Sequence, residues 1–336
     1  MIVGGAFAPG RKREGEQVEG AALKVYLEAL MTGFNEPGST GSQTMRADEM
    51  PARVLDVLTS RDYCYLSKSK VAGYRDSILG LVGDALRRGE PIRFYYDIGG
   101  GYHASVRPEK ARICFDVGLG ELFVLSQIAS FSRRVGRIYP VGVRFSLVID
   151  NMCALLVNDV PLTKTREYCD VLRGLIRDVG MQEIVDVLVE AEHFSIHDFD
   201  RPKPEFAERR VSLTRQQHDN VERFLGRPCD EAEAVERFLR YQDVIEISDR
   251  LLATLIFGVH MTQRATPATI CFRAFPGGDC RIQSGEIALA RNNNRKLYPL
   301  LLSSHNVGEY ACRRYQFPEL LPAVISHVTY AERAPK

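Results

Sequence analysis

Strands and helices alternate in the middle of this chain, and the alternation predicts an α/β fold with a Rossmann-like, mostly parallel sheet. Two runs rich in branched and aromatic residues, at 92–98 and 141–149, are each followed by a stretch with helical periodicity. The chain has 336 residues, of which 45% are hydrophobic and 26% charged. It is therefore long enough to bury both faces of such a sheet.

Three helices are predicted ahead of the first strand. Behind an N-terminal arm at 1–17, apolar residues recur at helical spacing over 18–34. A second helix, over 51–61, has proline in its first turn, where the missing N–H costs nothing. A third, over 74–88, ends before Gly89, a typical helix-stop residue.

The predicted core follows as strand, helix, strand, helix, strand. These five elements lie at 92–98, 119–135, 141–149, 163–178 and 183–189, and a short extended piece at 111–116 follows the first strand. Open α/β sheets bind ligands at the carboxyl ends of their strands. The loops that begin at Asp97 and Asp150 are therefore the first places to look for a site.

A polar, proline-containing stretch at 200–210 predicts a boundary in the chain. Helices at 212–225 and 230–257 and short strands at 269–274 and 298–303 follow it. We therefore predict three parts, namely an N-terminal arm and helix (1–50), a Rossmann-like core (51–200), and a helical and mixed C-terminal lobe (201–336) that completes the site.

The composition and charge of the chain restrict the classes of function that it can have. Lys+Arg is 44 and Asp+Glu is 43, and the resulting net charge of +1 argues against broad nucleic-acid binding. No apolar run approaches the roughly 18 residues of a membrane span, and the N-terminus lacks a signal-peptide pattern. None of the eight cysteines forms a C-x-x-C pair. We predict a cytoplasmic protein that acts on small molecules, without nucleic-acid or membrane partners.

The run Asp97-Ile-Gly-Gly-Gly-Tyr-His carries the first candidate site. A strand there delivers an acidic residue into a loop in which Gly99 and Gly101 would let backbone N–H groups approach a ligand. The run resembles the first motif of S-adenosylmethionine-dependent methyltransferases, so methyl transfer is one hypothesis, and a plain glycine-rich turn is its alternative. His103, beside the loop, is a candidate general base.

Two further runs place carboxylates near the same edge. Asp116 and Glu121 lie at the start of the helix predicted from 119, where acidic groups suit the helix dipole. They could hold an amino group or serve as acid and base, or they could simply form an acidic first turn. Asp150 ends the strand at 141–149 and is expected at the same edge as Asp97.

These pieces together resemble the pyoverdine/dityrosine biosynthesis family, whose bacterial members include isocyanide synthases. The resemblance rests on order and spacing, namely a strand with a small-residue loop, the Asp116 and Glu121 helix start, and Ile-Tyr-Pro-x-Gly at 138–142 before a strand that ends in Asp150. It covers roughly 80–190 and extends weakly to a Leu-Ser-x-His-like segment that ends at His305.

The resemblance implies an enzyme of natural-product biosynthesis. It would condense the amine of an L-amino acid with the carbonyl carbon of ribulose 5-phosphate, or a similar phosphorylated ketose, and cleave the adduct to an isocyanide, without a metal or redox cofactor. Acids and bases would move protons, and basic side chains would bind phosphate and carboxylate. The catalytic candidates are Asp116, Glu121, His103, Asp150 and His305, and the substrate-binding candidates are Asp97, Gly99, Gly101, Arg144, Arg273, Arg291 and Lys296.

Two alternatives stay open at this point. His193 and His197 are four residues apart, a helical spacing for metal ligands, but the segment lacks a helical period and we predict no metal. The second alternative is that the chain is a non-catalytic binding protein with the same fold.

Overall fold

The computed structural model describes residues 9–35, 46–64, 72–98, 103–104, 113–114, 117–149, 151–152, 162–193, 212–225, 227–255, 258–261, 272–273, 286–302 and 306–334. The first half of the chain forms α1 (Pro9–Asn35), α2 (Met50–Leu58), α3 (Arg75–Arg88), β1 (Ile92–Asp97), β2 (His103–Ala104), β3 (Ile113–Cys114), α4 (Leu119–Gly136) and β4 (Val143–Ile149). The second half forms α5 (Leu162–Asp178), β5 (Val185–Val189), α6 (Glu190–His193), α7 (Arg215–Leu225), α8 (Glu231–Thr254), β6 (Val259–His260), β7 (Glu286–Arg291), β8 (Leu297–Leu302), a 3-10 turn (Val307–Glu309), β9 (Tyr310–Tyr315) and β10 (Val328–Arg333).

The first sheet has the strand order β5-β4-β1-β6, and every neighbouring pair is parallel. Ile92 lies opposite Val143 and Phe145 opposite Val185, while Tyr95 pairs with His260 across the other edge of β1. This sheet confirms the predicted α/β fold with a Rossmann-like, parallel core.

Helices cover both faces of this sheet, which explains why its strands read as nearly continuous apolar runs. On one face the ring of Phe94 in β1 meets Phe131 of α4 edge to face, with centroids 5.3 Å apart. On the other face Tyr95 packs with Leu251 of α8 and with Leu255, which directly follows that helix.

The second sheet has the order β8-β7-β10-β9 and is mixed, because β10 runs parallel to β7 while the outer pairs are antiparallel. It confirms the predicted mixed C-terminal element. Helix α1 runs beside it, since Glu19 contacts Arg291 at 3.1 Å and Lys24 contacts Glu319 at 3.4 Å. The three-part division of the chain stays a prediction.

Strands β7, β9 and β10 were not predicted from the sequence, and two predicted helices have different bounds. Helix α1 begins at Pro9, well before 18. Its first turns are charged and polar, so they carry no apolar period, although Arg, Lys and Glu are good helix formers. The helix expected over 230–257 ends at Thr254, and the two-residue strand β6 follows it. None of the helices described is long and apolar enough to cross a membrane.

Candidate functional site at the carboxyl edge of the parallel sheet

The strand order places a topological switch point beside β1. From β1 the chain proceeds outward through β4 to β5, and it later returns to add β6 on the opposite side of β1. In open parallel sheets a ligand crevice forms at the carboxyl ends of the strands where the order reverses. The candidate site therefore lies where β1 ends at Asp97 and β6 ends at His260.

The end of β1 is held firmly between its two neighbours. The N–H of Ile98 donates to the carbonyl of Val148 at 3.1 Å, and the N–H of Met261 donates to the carbonyl of Tyr95 at 2.7 Å. These bonds fix the backbone on either side of Asp97, whose side chain is half-buried at the edge. The structure thus places this predicted residue where the sequence analysis expected it.

Two buried polar residues that were not predicted as site residues line the same edge. Asn151 follows β4 and is fully buried, and its Oδ1 accepts the N–H of Ala191 at 3.0 Å. Glu190 follows β5 directly and is 1% exposed. Each stands immediately after a buried strand, or one residue further on, so the rule that singled out Asp97 and Asp150 would have found them.

The side-chain amide of Asn151 also offers a free donor. Among the described residues, its Nδ2 has no hydrogen-bond partner, although the atom is buried. A buried donor without a partner costs about 1–3 kcal/mol. A water or an oxygen of a bound ligand would remove that cost, so this donor is available to a ligand at the edge between β4 and β5.

Glu121 lies at the start of α4, as predicted, and both of its oxygens accept hydrogen bonds. Oε2 accepts the N–H of Gly118 at 2.8 Å, which caps the helix, and Oε1 accepts the hydroxyl of Tyr168 on α5 at 3.1 Å. Burial, and then the charge of Glu121, raise the pKa of Tyr168 well above its ordinary value. Glu121 thus joins two helices, and a catalytic role for it stays a prediction.

The four predicted anion binders are dispersed. Arg144 is the second residue of β4, so it lies at the amino end of the sheet, where its Nε is 3.1 Å from Oδ2 of Asp186. Arg273 donates to the carbonyl of Cys64 at 3.2 Å.

The other two cations lie at the second sheet. Arg291, at the end of β7, donates to both carboxylate oxygens of Glu19 at 3.1 Å. Lys296 is exposed in the turn between β7 and β8. The structure therefore does not bring the four together, and phosphate binding by any of them stays a prediction.

Several predicted residues fall outside the part that the structure describes, namely Asp116, Asp150, His305, Gly99, Gly101 and His197. His103 is placed by its backbone alone, in β2 opposite Cys114 of β3. His193 ends the short helix α6 and is exposed. His260 is likewise placed by its backbone alone, in β6, a strand that no sequence pattern reveals because two residues show no alternation.

The described residues that could share a metal do not lie at this edge. Within the ranges given above, one group of three metal-ligating side chains is close enough, and it comes from α7 and the connection to α8.

The fold and its edge define the class of protein, an open parallel α/β sheet with polar residues at its switch point and a mixed second sheet. Among solved structures the chain is similar to the PvcA protein from Pseudomonas aeruginosa, with a TM-score of 0.59, 16% sequence identity, and coverage of 84% of this chain and 99% of that chain. No protein-family model and no curated protein matches the sequence. At this identity the likeness establishes the fold.

Proposed function

We propose that this chain is an isocyanide synthase-like enzyme that acts on the amine of an L-amino acid and on a phosphorylated ketose such as ribulose 5-phosphate. The observation that carries the proposal is the likeness to PvcA, an isocyanide synthase-like protein of pyoverdine biosynthesis, over 84% of the chain. The order of motifs between about 80 and 190 supports it independently, since it resembles the same family.

The chemistry of the carboxyl edge suits an amine substrate. Asp97 after β1 and Glu190 after β5 bring carboxyl groups to one edge of the sheet, on either side of β4. A substrate ammonium group would bind to such a group. To react, the amine must lose a proton and attack the ketose carbonyl, and water must leave as the imine forms. Each step needs a group that accepts or donates a proton. Asp116, Glu121, Asp150, His103 and His305 are the proposed proton-transfer groups.

Ligand-dependent melting tests the substrate class. A ligand present at about 100 times its dissociation constant stabilises a fold by about 2.7 kcal/mol. For a chain of this size the melting temperature should rise by about 2 °C or more. We expect this shift with ribulose 5-phosphate, measured alone and with a panel of amino acids, and mass spectrometry of the same mixtures should show the isocyanide.

The same measurement tests the alternatives. A shift with S-adenosylmethionine and none with the sugar phosphate, with or without amino acids, would contradict the proposal and favour methyl transfer at the Asp97–Gly101 loop. A shift with the sugar phosphate but no turnover with any amino acid would favour a binding protein on the same fold.

Asp186 in β5 and Glu190 just after this strand provide a matched pair of variants that tests whether the carboxyl edge is the active site. Glu190 lies past the carboxyl end of the strand, whereas Asp186 lies near its amino end and contacts Arg144. We expect Glu190→Gln to lower turnover by roughly 100-fold or more, a typical effect of losing a proton-transfer group or a substrate contact. Asp186→Asn should leave turnover unchanged. Equal turnover in both variants would remove Glu190 from the site.

A further inference from the structure

A histidine, a glutamate and a cysteine converge at the junction of α7 and α8. His218 and Glu222 are four residues apart on α7, so they share one face of that helix. Cys229 follows in the connection to α8. One ligand atom from each of the three side chains lies within 4.8 Å of the other two. All three side chains are partly exposed, so a small ion could reach them.

The donor set is one that zinc-class ions prefer. An imidazole nitrogen, a thiolate and a carboxylate oxygen are the usual ligands of Zn²⁺, at about 2.0–2.3 Å from the ion. Ligand atoms at such distances on a tetrahedron are separated by roughly 3.3–3.8 Å. The side chains need to close by about 1 Å to reach that geometry, and partly exposed side chains can do so by small rotations.

The ring of His218 lies between two carboxylates, one near each of its nitrogens. Its Nδ1 lies 3.8 Å from Oε1 of Glu222, on the side of the three-residue cluster. Its Nε2 lies 4.0 Å from Oε2 of Glu231, the first residue of α8. Metal-bound histidines usually donate their second ring N–H to a carboxylate, which fixes the tautomer and the ring orientation.

The carboxylate of Glu222 is also oriented by the connection itself. The backbone N–H of Cys229 donates to Oε1 of Glu222 at 3.2 Å, which holds the carboxylate beside the thiol. This bond ties the end of α7 to the segment that leads into α8, as a metal shared by Glu222 and Cys229 would do.

We propose that His218, Glu222 and Cys229 form a zinc-class metal site, with His218 bound through Nδ1, Glu231 as the carboxylate partner of its Nε2, and water completing the coordination. The site would clamp α7 to the start of α8. At the far end of α8, Leu251 and the following Leu255 pack against the parallel sheet, and the chain then leads to β6. The ion would thereby stabilise the arm of the chain that delivers β6 to the switch point.

Metal titration tests this site without any substrate, so its outcome is independent of the proposed function. The untagged full chain is first stripped with a chelator and then titrated with Co²⁺ and with Zn²⁺. We expect one ion per chain, a thiolate-to-cobalt charge-transfer band in the near ultraviolet, and a higher melting temperature with Zn²⁺. Glu231→Gln should weaken binding by about 10-fold or more, the usual cost of losing such a partner.

Two variants and a matched control decide the assignment. Cys229→Ser should abolish the charge-transfer band, and His218→Ala should weaken Zn²⁺ binding by more than 10-fold. Cys312→Ser replaces an exposed cysteine on β9 and should bind metal like the unaltered chain. Circular dichroism checks that each variant is folded. Failure of the unaltered chain to bind one ion per chain, or the same affinity in Cys229→Ser and His218→Ala as in the control, would overturn the proposal.

Discussion

A single tyrosine hydroxyl connects α5 to α4, and its removal is the first prediction at the residue scale. Tyr168 is buried, and its hydroxyl donates to the Glu121 carboxylate. A hydrogen bond to a charged group contributes about 1.5–3 kcal/mol to stability. We expect Tyr168→Phe to lower the free energy of unfolding by that amount, as measured by urea denaturation.

Tyr139 provides the control for that variant. Its hydroxyl donates to the backbone carbonyl of Glu90 at 2.8 Å, a neutral acceptor, so Tyr139→Phe should cost only about 1 kcal/mol. A loss for Tyr168→Phe no greater than that for Tyr139→Phe would show that the charge of Glu121 adds nothing beyond a neutral hydrogen bond.

Single residues also show where sequence reasoning succeeds and fails. Asp97 was predictable because it ends an apolar run that enters a glycine loop. Asn151 and Glu190 obey the same rule, but an asparagine beside an aspartate and a glutamate in an acidic stretch attract no attention in a sequence. His218 and Glu222 lie on α7, whereas Cys229 lies beyond its end, so the three residues share no regular spacing that a sequence pattern could show.

At the scale of elements, β6 depends on a glycine that precedes it. A Cβ on Gly258 would lie 2.5 Å from the ring of Tyr95 and 2.9 Å from the carbonyl oxygen of Arg93. The second contact is with backbone, which cannot rotate away. We expect Gly258→Ala to destabilise the protein by about 1–3 kcal/mol, as overpacking does, and to loosen β6 against β1. Hydrogen exchange at the Met261 amide, which donates to Tyr95, would report the loosening.

The opposite outcome is expected at a glycine with open surroundings. Gly80 is exposed in α3, and a Cβ there would meet nothing within 4 Å. Because alanine favours helix by up to about 1 kcal/mol over glycine, Gly80→Ala should stabilise the protein. A neutral or stabilising Gly258→Ala alongside it would show that β6 is not held by this close approach.

The elements that the sequence predicted are those with long, regular patterns. Strands β1, β4 and β5 and the helices between them have strong apolar runs, and their order alone led to the parallel core. Strand β6 has two residues and gains its place from tertiary contact, in particular from Leu251 at the end of α8 and from Leu255 just after it. The sequence therefore predicts the part of the carboxyl edge that β1, β4 and β5 form, but not the part that β6 forms.

At the scale of the whole molecule, α1 links the two sheets. Its Tyr26 ring meets Phe123 of α4 edge to face at 6.3 Å, beneath the first sheet, while its Glu19 contacts Arg291 of the second sheet. Arg133 of α4 adds a bond to the carbonyl of Gly33 near the end of α1. The helix predicted as a separate N-terminal part thus contacts elements of both other parts, and we expect the three to unfold together.

Alkaline unfolding tests this cooperativity. Burial raises the pKa of Tyr26 to about 12, and burial followed by the Glu19 charge raises the pKa of Tyr330 to about 12. The pKa of Tyr168 is raised as well, mainly by burial. Each tyrosine therefore holds its proton more tightly in the folded chain than in the unfolded chain, where its pKa is near 10.0.

Stability from these tyrosines is fully present below pH 10 and is lost as the pH rises toward 12, because the unfolded chain releases their protons first. We expect the free energy of unfolding, measured in urea at each pH, to fall over that interval in one transition. Tyr26→Phe at α1 and Tyr168→Phe at α5 should each make the fall less steep without splitting the transition. Two separate transitions, each sensitive to only one of the variants, would mean that α1 and the parallel core unfold independently.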